Sequence, residues 1–306
     1  MRSSSRLFPP CSPRTLIPFP AAPADAKSTG RRSVLAAWMT RPDNPLVARV
    51  MANRIWQFHF GRGLVETPSD FGLNGSEPSH PGLLDWLAAE LIQSGWSLKH
   101  MHRVIMASSV YQQSSGNGDS PSGRLFGAFP RRRLEAELIR DAMLAASGSL
   151  NRTMHGQGIR PRIHSSVIAT STTRKWPLVR QETAEHWRRS VYVHVRRSVL
   201  MPLLESFDAP PTTESCAARV TTTVPTQALQ LLNDRFANEQ SRRMAESIRA
   251  ATGKDVVRQV ESAFWRTLSR PPEAAELREC VEFVNREGLS GLCHVLFNIN
   301  EFVFVD

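Results

Sequence analysis

Residues 44–63 read NPLVARVMANRIWQFHFGRG and predict a helix that is buried on two sides. Pro45 suits the first turn of a helix. One apolar stripe follows at helical spacing, formed by Val47, Met51, Ile55 and Phe58. The opposite side is also largely apolar and consists of Arg49, Asn53, Trp56 and Phe60. The helix is expected to end at the two glycines of residues 61–63.

Outside this stretch, the chain continues in a helical pattern from Arg31 onward. Pro81 is expected to open a helix that runs to about Gln93, and Ser97 is expected to cap the next one. Further helical stripes occupy residues 225–232, 235–250, 255–268, 274–285 and 289–299. Residues 190–197, SVYVHVRR, instead alternate valines with other residues, the period-two pattern of a half-buried strand. The sequence therefore predicts a mainly α, multi-helix globular domain with a small β element near 190–197.

The domain organisation follows from composition. Residues 1–30 are rich in proline, serine and arginine, which predicts disorder, and their prolines interrupt the apolar centre that a signal peptide needs. The folded domain is expected to span residues 31–306, with two helical subdomains, 31–150 and 190–306, joined by an irregular stretch. No run of the sequence approaches the roughly 18 apolar residues of a membrane-spanning helix.

The net charge raises the question of a nucleic-acid partner. Of the 306 residues, 22% are charged, and the net charge of +10 would attract phosphates. However, only four of the 38 Lys and Arg residues are lysine, a bias typical of a GC-rich genome, and the Arg131–Arg133 run is followed directly by Glu135 and Glu137. Nucleic acid is therefore not a favoured partner.

The metal-binding residue types show no ligand spacing. The four cysteines, Cys11, Cys216, Cys280 and Cys293, form neither a C-x-x-C pair nor a zinc or haem pattern. His100 and His102 lie two apart on a predicted helix and so point in different directions. No P-loop or dinucleotide fingerprint occurs. The sequence predicts no metal site and no cofactor.

Three places combine polar residues in a way that suits chemistry. In the first, Asp70 is a natural partner for Arg54 or His80, and a histidine oriented by a carboxylate has the form of a general base. A structural interpretation is favoured, in which Asp70 bonds loop N–H groups and His80 simply precedes the helix-opening Pro81.

The second place is LEAELIRDAM, residues 134–143, where Asp141 is predicted to share one helix face with Leu134 and Leu138. Asp141 and Glu135 lie near Arg131–Arg133 and could form the pair of carboxyl groups that a glycosidase needs. A buried salt-bridge network is favoured instead.

The third place lies between the predicted strand and the next helix and contains Asp208, Cys216 and Arg219. Arg219 would favour the thiolate of Cys216, and His194 is the candidate base. No nucleophile signature surrounds Cys216, so a hydrogen-bonded structural loop is favoured here too.

Five blocks of the sequence stand in a characteristic order. They are residues 44–115, PRRRLEAELIRDAMLAASGSL at 130–150, RRSVYVHVRRS at 188–198, FDAPPTTESCAARVTTTVPTQALQLLND at 207–234 and LCHVLFNINEFVFVD at 292–306. Together they resemble the planctomycete PSD domain of unknown function. The resemblance covers about residues 31–306 and is weakest over 152–189.

This resemblance implies a C-terminal domain of large planctomycete proteins, beside a second unknown-function domain and often a planctomycete cytochrome c domain, after a secretion signal. It thus implies an extracytoplasmic location and another protein domain as partner. The chain contains neither C-x-x-C-H nor the upstream domain, so we expect a truncated or split member. The positions that match the family blocks are Asn53, Arg54, Trp56, Asp70, His80, Arg133, Glu135, Arg140, Asp141, Asp208, Cys216, Gln227 and Asn233.

Three functional hypotheses remain, and the sequence leaves open whether the protein is an enzyme. We favour a binding or scaffolding module of a larger extracytoplasmic assembly. Its candidate binding residues are Asn53, Arg54, Trp56, Arg133, Arg140, Cys216, Arg219, Gln227 and Asn233. The first alternative is a hydrolase acting on polysaccharides, with the candidate catalytic residues Asp70, His80, Glu135, Asp141 and Asp208. The second alternative, nucleic-acid binding, predicts that Arg131–Arg133 lie on an exposed face.

Overall fold

The computed structural model describes residues 30–41, 43–115, 125–164, 176–197 and 199–305. The disorder expected for residues 1–30 lies outside this part, except for Gly30, and so does Cys11. The chain divides into two compact units, the first ending at Arg132 and the second spanning Arg133–Val305.

The described residues form twelve α-helices. Those of the first unit are α1 (Arg31–Met39), α2 (Val47–Phe60), α3 (Pro81–Gln93) and α4 (Leu98–Met106). Those of the second unit are α5 (Ala136–Ala146), α6 (Pro202–Ser206), α7 (Pro225–Asn233), α8 (Arg235–Thr252), α9 (Val256–Leu268), α10 (Ala274–Glu287), α11 (Leu289–Asn298) and α12 (Asn300–Val303). A two-stranded sheet pairs β1 (Arg132–Arg133) with β2 (Phe304–Val305). The predicted mainly α fold with a small β element is confirmed.

The first unit is built around the packing of α2 on α3. Trp56 of α2 is buried in its core, as the sequence predicts, and so is Ala52. Phe58 of the predicted stripe is instead 62% exposed, because the buried arc of α2 is centred on these two residues. Gly61 ends the helix at φ 76°, a left-handed conformation that glycine adopts without a Cβ clash.

The second unit has α8 and α11 at its centre, with α9 and α10 packed beside them. α5 packs against α8 and α9, and its Ile139 and Met143 are fully buried in the same core. The unit therefore begins at Arg133. The division of the chain lies ahead of α5, whereas the prediction of subdomains 31–150 and 190–306 puts α5 in the first part.

The continuous strand predicted over 190–197 is not formed. Ser190–Tyr192 is a 3-10 turn, and Val193 makes only an isolated β-bridge. The reason is a distant contact, because Asp141 Oδ1 accepts hydrogen bonds from both the N–H and the hydroxyl of Ser190 and so fixes the turn. Val191 and Val195 are 73% and 65% exposed, so the alternating valines do not cover one buried face. The β character near 190–197 consists of bridges, and the regular strands lie elsewhere.

Candidate functional site

The first group of sequence-predicted residues surrounds Asp208, which follows α6. Arg133 Nη2 donates to Asp208 Oδ2 at 2.7 Å and to the Phe207 carbonyl at 3.2 Å. The N–H and the hydroxyl of Thr222 donate to the same carboxylate at 2.8 and 2.9 Å. These bonds hold Asp208 at φ 59°, a strained conformation for a residue with a Cβ. Burial alone would raise the pKa of Asp208, but the Thr222 hydrogen bonds and the Arg133 charge lower it below its ordinary value.

Gln227, at the start of α7, extends the Asp208 group. Its amide nitrogen donates to the carbonyls of Ser206 and Thr222, at 3.1 and 3.2 Å. Gln227 is buried, and so it closes the loop between α6 and α7 onto α7. In the described part of the chain, Arg133 Nε and Nη1 are buried without a hydrogen-bond partner.

The second group is an ion-pair cluster between α5 and the loop before α7. Arg219 donates from both terminal nitrogens to Glu137, at 2.7 and 3.0 Å, and its Nε lies 3.6 Å from Glu135. The bond to Glu137 raises the pKa of Arg219, and burial opposes that rise. The exposed Cys216 donates its S–H to the Ala218 carbonyl. No bond joins Cys216 to His194 within the described ranges, so the structure does not form the predicted nucleophile and base.

The third group lies around the fully buried Arg140 of α5. Its Nη1 donates to the Arg188 carbonyl and the Ser190 hydroxyl, both at 3.1 Å, and its Nη2 donates to the His186 carbonyl at 2.8 Å. Asp141 lies 3.8 Å from Arg140 Nη1. Burial lowers the pKa of Arg140, and the charges of Asp141 and Glu182 oppose this. These contacts agree with the favoured interpretation of this place as a structural network.

The face predicted for Asp141 is wrong. Leu138, expected beside it on a buried stripe, is 45% exposed, and the buried face of α5 carries Ile139, Arg140 and Met143. Arg140 takes the inward position because three oxygen acceptors from residues 186–190 meet its guanidinium there.

The candidates of the first unit are spread over its core and loops. Asn53 is buried and exchanges two hydrogen bonds with Val65, donating to its carbonyl at 3.1 Å and accepting its N–H at 2.9 Å. Trp56 is 3% exposed and packs on Phe60 and Phe126. Both residues hold the helix α2 in its core position.

The predicted pairing of Asp70 with Arg54 or His80 is not formed. Asp70 Oδ1 accepts the Gly72 N–H at 2.8 Å, and His80 Nδ1 lies 3.0 Å from Ser79 Oγ. Arg54 is exposed. The structural interpretation of Asp70 as a loop cap is the one that these contacts support.

The buried arginine of α2 is Arg49, which the sequence placed on the second buried side of this helix but not among the candidate site residues. Its Nε donates to Asp85 Oδ1 of α3 at 2.6 Å, and its Nη1 donates to the Pro45 carbonyl at 3.1 Å. Asp85 lies 36 residues further along the chain, so no local sequence pattern indicates this ion pair.

A histidine pair also lies in the first unit. His59 Nε2 and His102 Nδ1 are 2.8 Å apart, and the Tyr111 ring stands edge-on to His59. Burial lowers the pKa of His59, with further lowering by the charges of His102 and Arg132. The sequence spacing relates His102 only to His100, so it does not indicate this contact. In the described ranges, no three His, Cys, Asp or Glu side chains are grouped as metal ligands.

Two cavities of the second unit each have a volume of about 640 Å³. One is lined by residues 153–160 and Arg188, whose guanidinium donates to the carbonyls of Thr153 and Gln157. The five candidate catalytic residues line neither cavity.

The other cavity contains carboxyl groups that the sequence interpretation missed. It lies at the junction of α7 and α8, and Asn233 is its one lining residue among the candidates. Its carboxyl residues are Glu182 and Asp234. Glu182 lies in the irregular stretch, which carried no pattern. Asp234 does have a signal, because an aspartate directly before a helical segment is a typical N-cap.

A family model described as PSD1, protein of unknown function (DUF1553), matches residues 31–284. The chain belongs to the PSD1 family. The range that PSD1 matches contains every candidate residue given above, and it confirms the expected PSD domain of unknown function. No curated protein and no solved structure matches the chain. No helix in the described residues of this PSD1 domain is long and apolar enough to cross a bilayer.

Proposed function

We propose that this PSD1 domain is a binding or scaffolding module that docks through an apolar stripe on α7. The stripe consists of Pro225, Ala228, Leu229 and Leu232, at positions i, i+3, i+4 and i+7 of the helix. This spacing places the four side chains on one face, and all four residues are exposed. The opposite face buries Gln227 and Leu231.

The exposure of this α7 stripe is the observation that carries the proposal. A helix of a globular domain normally turns its apolar stripe toward the core and its polar residues toward water. Leu229 and Leu232 are 54% and 48% exposed. Contiguous exposed apolar surface is typical of interaction sites, and anchors at this spacing suit the groove of a partner protein.

The contacts of the candidate catalytic residues favour binding over hydrolysis. Asp208 is held by Arg133 and Thr222, and Asp141 is held by Ser190. A glycosidase needs two carboxyl groups that face a substrate across an open cleft. The hydrogen-bonded carboxyl groups of Asp208 and Asp141 line neither of the two cavities, so they support the structural interpretation.

The arginine run does not support nucleic-acid binding. Arg133 is buried against Asp208, and Arg132 Nη1 donates to the Phe58 carbonyl at 2.7 Å. A phosphate-binding face needs guanidinium groups that are free to reach the backbone of the nucleic acid.

The partner that we propose is another protein domain of the same extracytoplasmic assembly. The resemblance to planctomycete PSD proteins points to the upstream domain of unknown function, or else to the cytochrome c domain. The apolar α7 stripe suits a protein groove, because burying each leucine would contribute about 1.5–3 kcal/mol.

The experiment uses the double variant Leu229→Glu with Leu232→Glu and titrates each purified domain by calorimetry. Loss of both apolar anchors should weaken binding by about 100-fold or more. Val257→Glu with Trp265→Glu is the matched control, because both residues are exposed on α9 of the same unit. The proposal fails if the unchanged chain binds neither domain, or if the two double variants bind equally well.

A further inference from the structure

The cavity at the α7–α8 junction has the size and wall of a ligand site. Its volume of about 640 Å³ falls within the range of about 300–1,000 Å³ that small-molecule sites occupy. Much of the wall is apolar, formed by Ile163, Leu178, Met201, Leu203 and Phe236.

Two carboxyl groups in this wall form no ion pair with a described residue. Glu182 is 8% exposed and accepts the Arg162 backbone N–H at 2.7 Å and the Trp187 indole N–H at 3.1 Å. Asp234 caps α8 by accepting the Phe236 N–H at 3.2 Å. All of these donors are uncharged, and in the described part no side-chain nitrogen of Lys, Arg or His lies within 4.0 Å of either carboxylate. Buried carboxylates are normally paired with a cation.

The arginines of the cavity are used elsewhere. Arg162 and Arg235 both bind Glu239, at 2.6 and 3.0 Å. Arg180 is exposed at the rim. The guanidinium groups of these arginines therefore make no direct contact with Glu182 or Asp234.

The environment of Asp234 agrees with this geometry. Burial raises the pKa of its carboxyl, and the charge of Glu182 adds to the rise. Hydrogen bonds from Phe236 and Gln230 oppose the rise, as does the charge of Arg162. A cation bound beside Asp234 and Glu182 would be stabilised by both carboxylates and would offset the effect of the Glu182 charge on Asp234.

We propose that this cavity binds the free amino end of a short peptide, with its ammonium group at Glu182 and Asp234. An ammonium group has three donors and no acceptor, which matches two carboxylates whose other donors are neutral. The first side chain of the peptide would then lie on the apolar wall at Leu203 and Phe236. The amides of Gln230 and Asn233, which also line the cavity, suit the first peptide group. This ligand site is separate from the α7 stripe and does not depend on it.

The test compares leucyl-leucine with N-acetyl-leucyl-leucine by calorimetry on the full chain. The two peptides share both side chains and the free carboxylate and differ in the ammonium group. Acetylation should weaken binding at least 10-fold. Equal or tighter binding of the acetylated peptide would overturn the proposal, because the arginines would then dominate recognition. An absence of leucyl-leucine binding at millimolar concentration would overturn it as well.

A matched pair of variants tests whether the peptide binds at Asp234. Asp234→Asn should weaken leucyl-leucine binding at least 10-fold, and asparagine is as good an N-cap as aspartate, so α8 is retained. Asp255→Asn is the control, because Asp255 caps α9 in the same way, accepting the Arg258 N–H at 3.2 Å, outside the cavity. Glu182→Gln is a second variant with the same expected loss, and melting temperatures check the folding of all three. Equal affinities of Asp234→Asn and Asp255→Asn would contradict the assignment.

Discussion

At the scale of single residues, buried guanidinium groups are a recurring device of this protein. Arg49 is neutralised by Asp85, whereas Arg140 and Arg188 donate mainly to backbone carbonyls. Arg188 also stacks on the Tyr192 ring at 3.9 Å. A planar group with five donors in a fixed geometry can satisfy more carbonyls at once than a lysine ammonium, which has three donors. These arginines therefore fasten loops to the core.

The Arg49–Asp85 pair gives the first stability prediction. Asp85→Asn removes the carboxylate from a guanidinium whose side chain is 2% exposed, so unfolding free energy should fall by about 1.5–3 kcal/mol. Asp43→Asn breaks a comparable bond to Arg41 at the surface and should change the unfolding free energy much less, because solvent screens an exposed ion pair. Urea denaturation measures both. Similar losses in the two variants would contradict a buried, charge-dependent role for Asp85.

Trp56 gives a second prediction at this scale. Trp56→Ala should destabilise the protein by about 3–5 kcal/mol, since it opens a large cavity in the core. Phe58→Ala is the control, because its ring is 62% exposed and two positions away on the same helix. A melting temperature of Trp56→Ala equal to that of Phe58→Ala would argue against the packing of α2 described above.

At the scale of elements, helix positions with local signals are predictable. α3 runs from Pro81 to Gln93, as its N-terminal proline indicates, and the Ser97 hydroxyl caps α4 by accepting the His100 N–H. The region 190–197 was not predictable, because the Asp141 contact that shapes it comes from 49 residues away. Local periodicity cannot report such a contact.

The candidate site shows the same contrast between residues with local sequence signals and contacts between distant residues. The sequence located Arg133, Asp208 and Gln227, which the structure brings together. It could not give their partners, since Arg133 and Asp208 are 75 residues apart. Nor could it locate the cavity that contains Glu182, because a cavity depends on packing between distant segments, and the N-cap signal of Asp234 does not indicate a cavity.

The N-terminus of α10 gives a prediction on pH. Arg270 binds both Glu276 and Glu301, and the hydrogen bond from Arg270 lowers the pKa of Glu276 to about 2. A carboxyl with a lowered folded-state pKa stabilises the fold above its unfolded pKa, 4.5, and loses that contribution as the pH falls toward 2. The urea midpoint should therefore drop more between pH 6 and pH 3 in the unchanged chain than in Glu276→Gln.

Glu279→Gln, an exposed change on the same helix, is the control for α10. It should keep the pH dependence of the unchanged chain. If Glu276→Gln keeps it as well, the ion pair does not contribute to acid stability.

At the scale of the whole molecule, the two units have separate apolar cores. The core of the first contains Trp56 and Phe60, and that of the second contains Met244 and Phe297. A cooperative unit of unfolding usually coincides with such a core. We therefore expect Trp56→Ala to raise amide hydrogen exchange in residues 47–111 while residues 136–146 and 235–298 keep their protection. Equal loss of protection in both sets would show that the chain unfolds as one unit.

The exposed thiol of Cys216 makes the loop between α6 and α7 accessible to labelling chemistry. Burial raises the pKa of the Cys293 thiol to about 12 and also raises that of Cys280, which slows the reaction of both thiols with maleimides. With Cys11 replaced by serine, a fluorophore should therefore attach at Cys216, beside the Arg219–Glu137 ion pair and ahead of the α7 stripe. Its emission would then report partner docking directly.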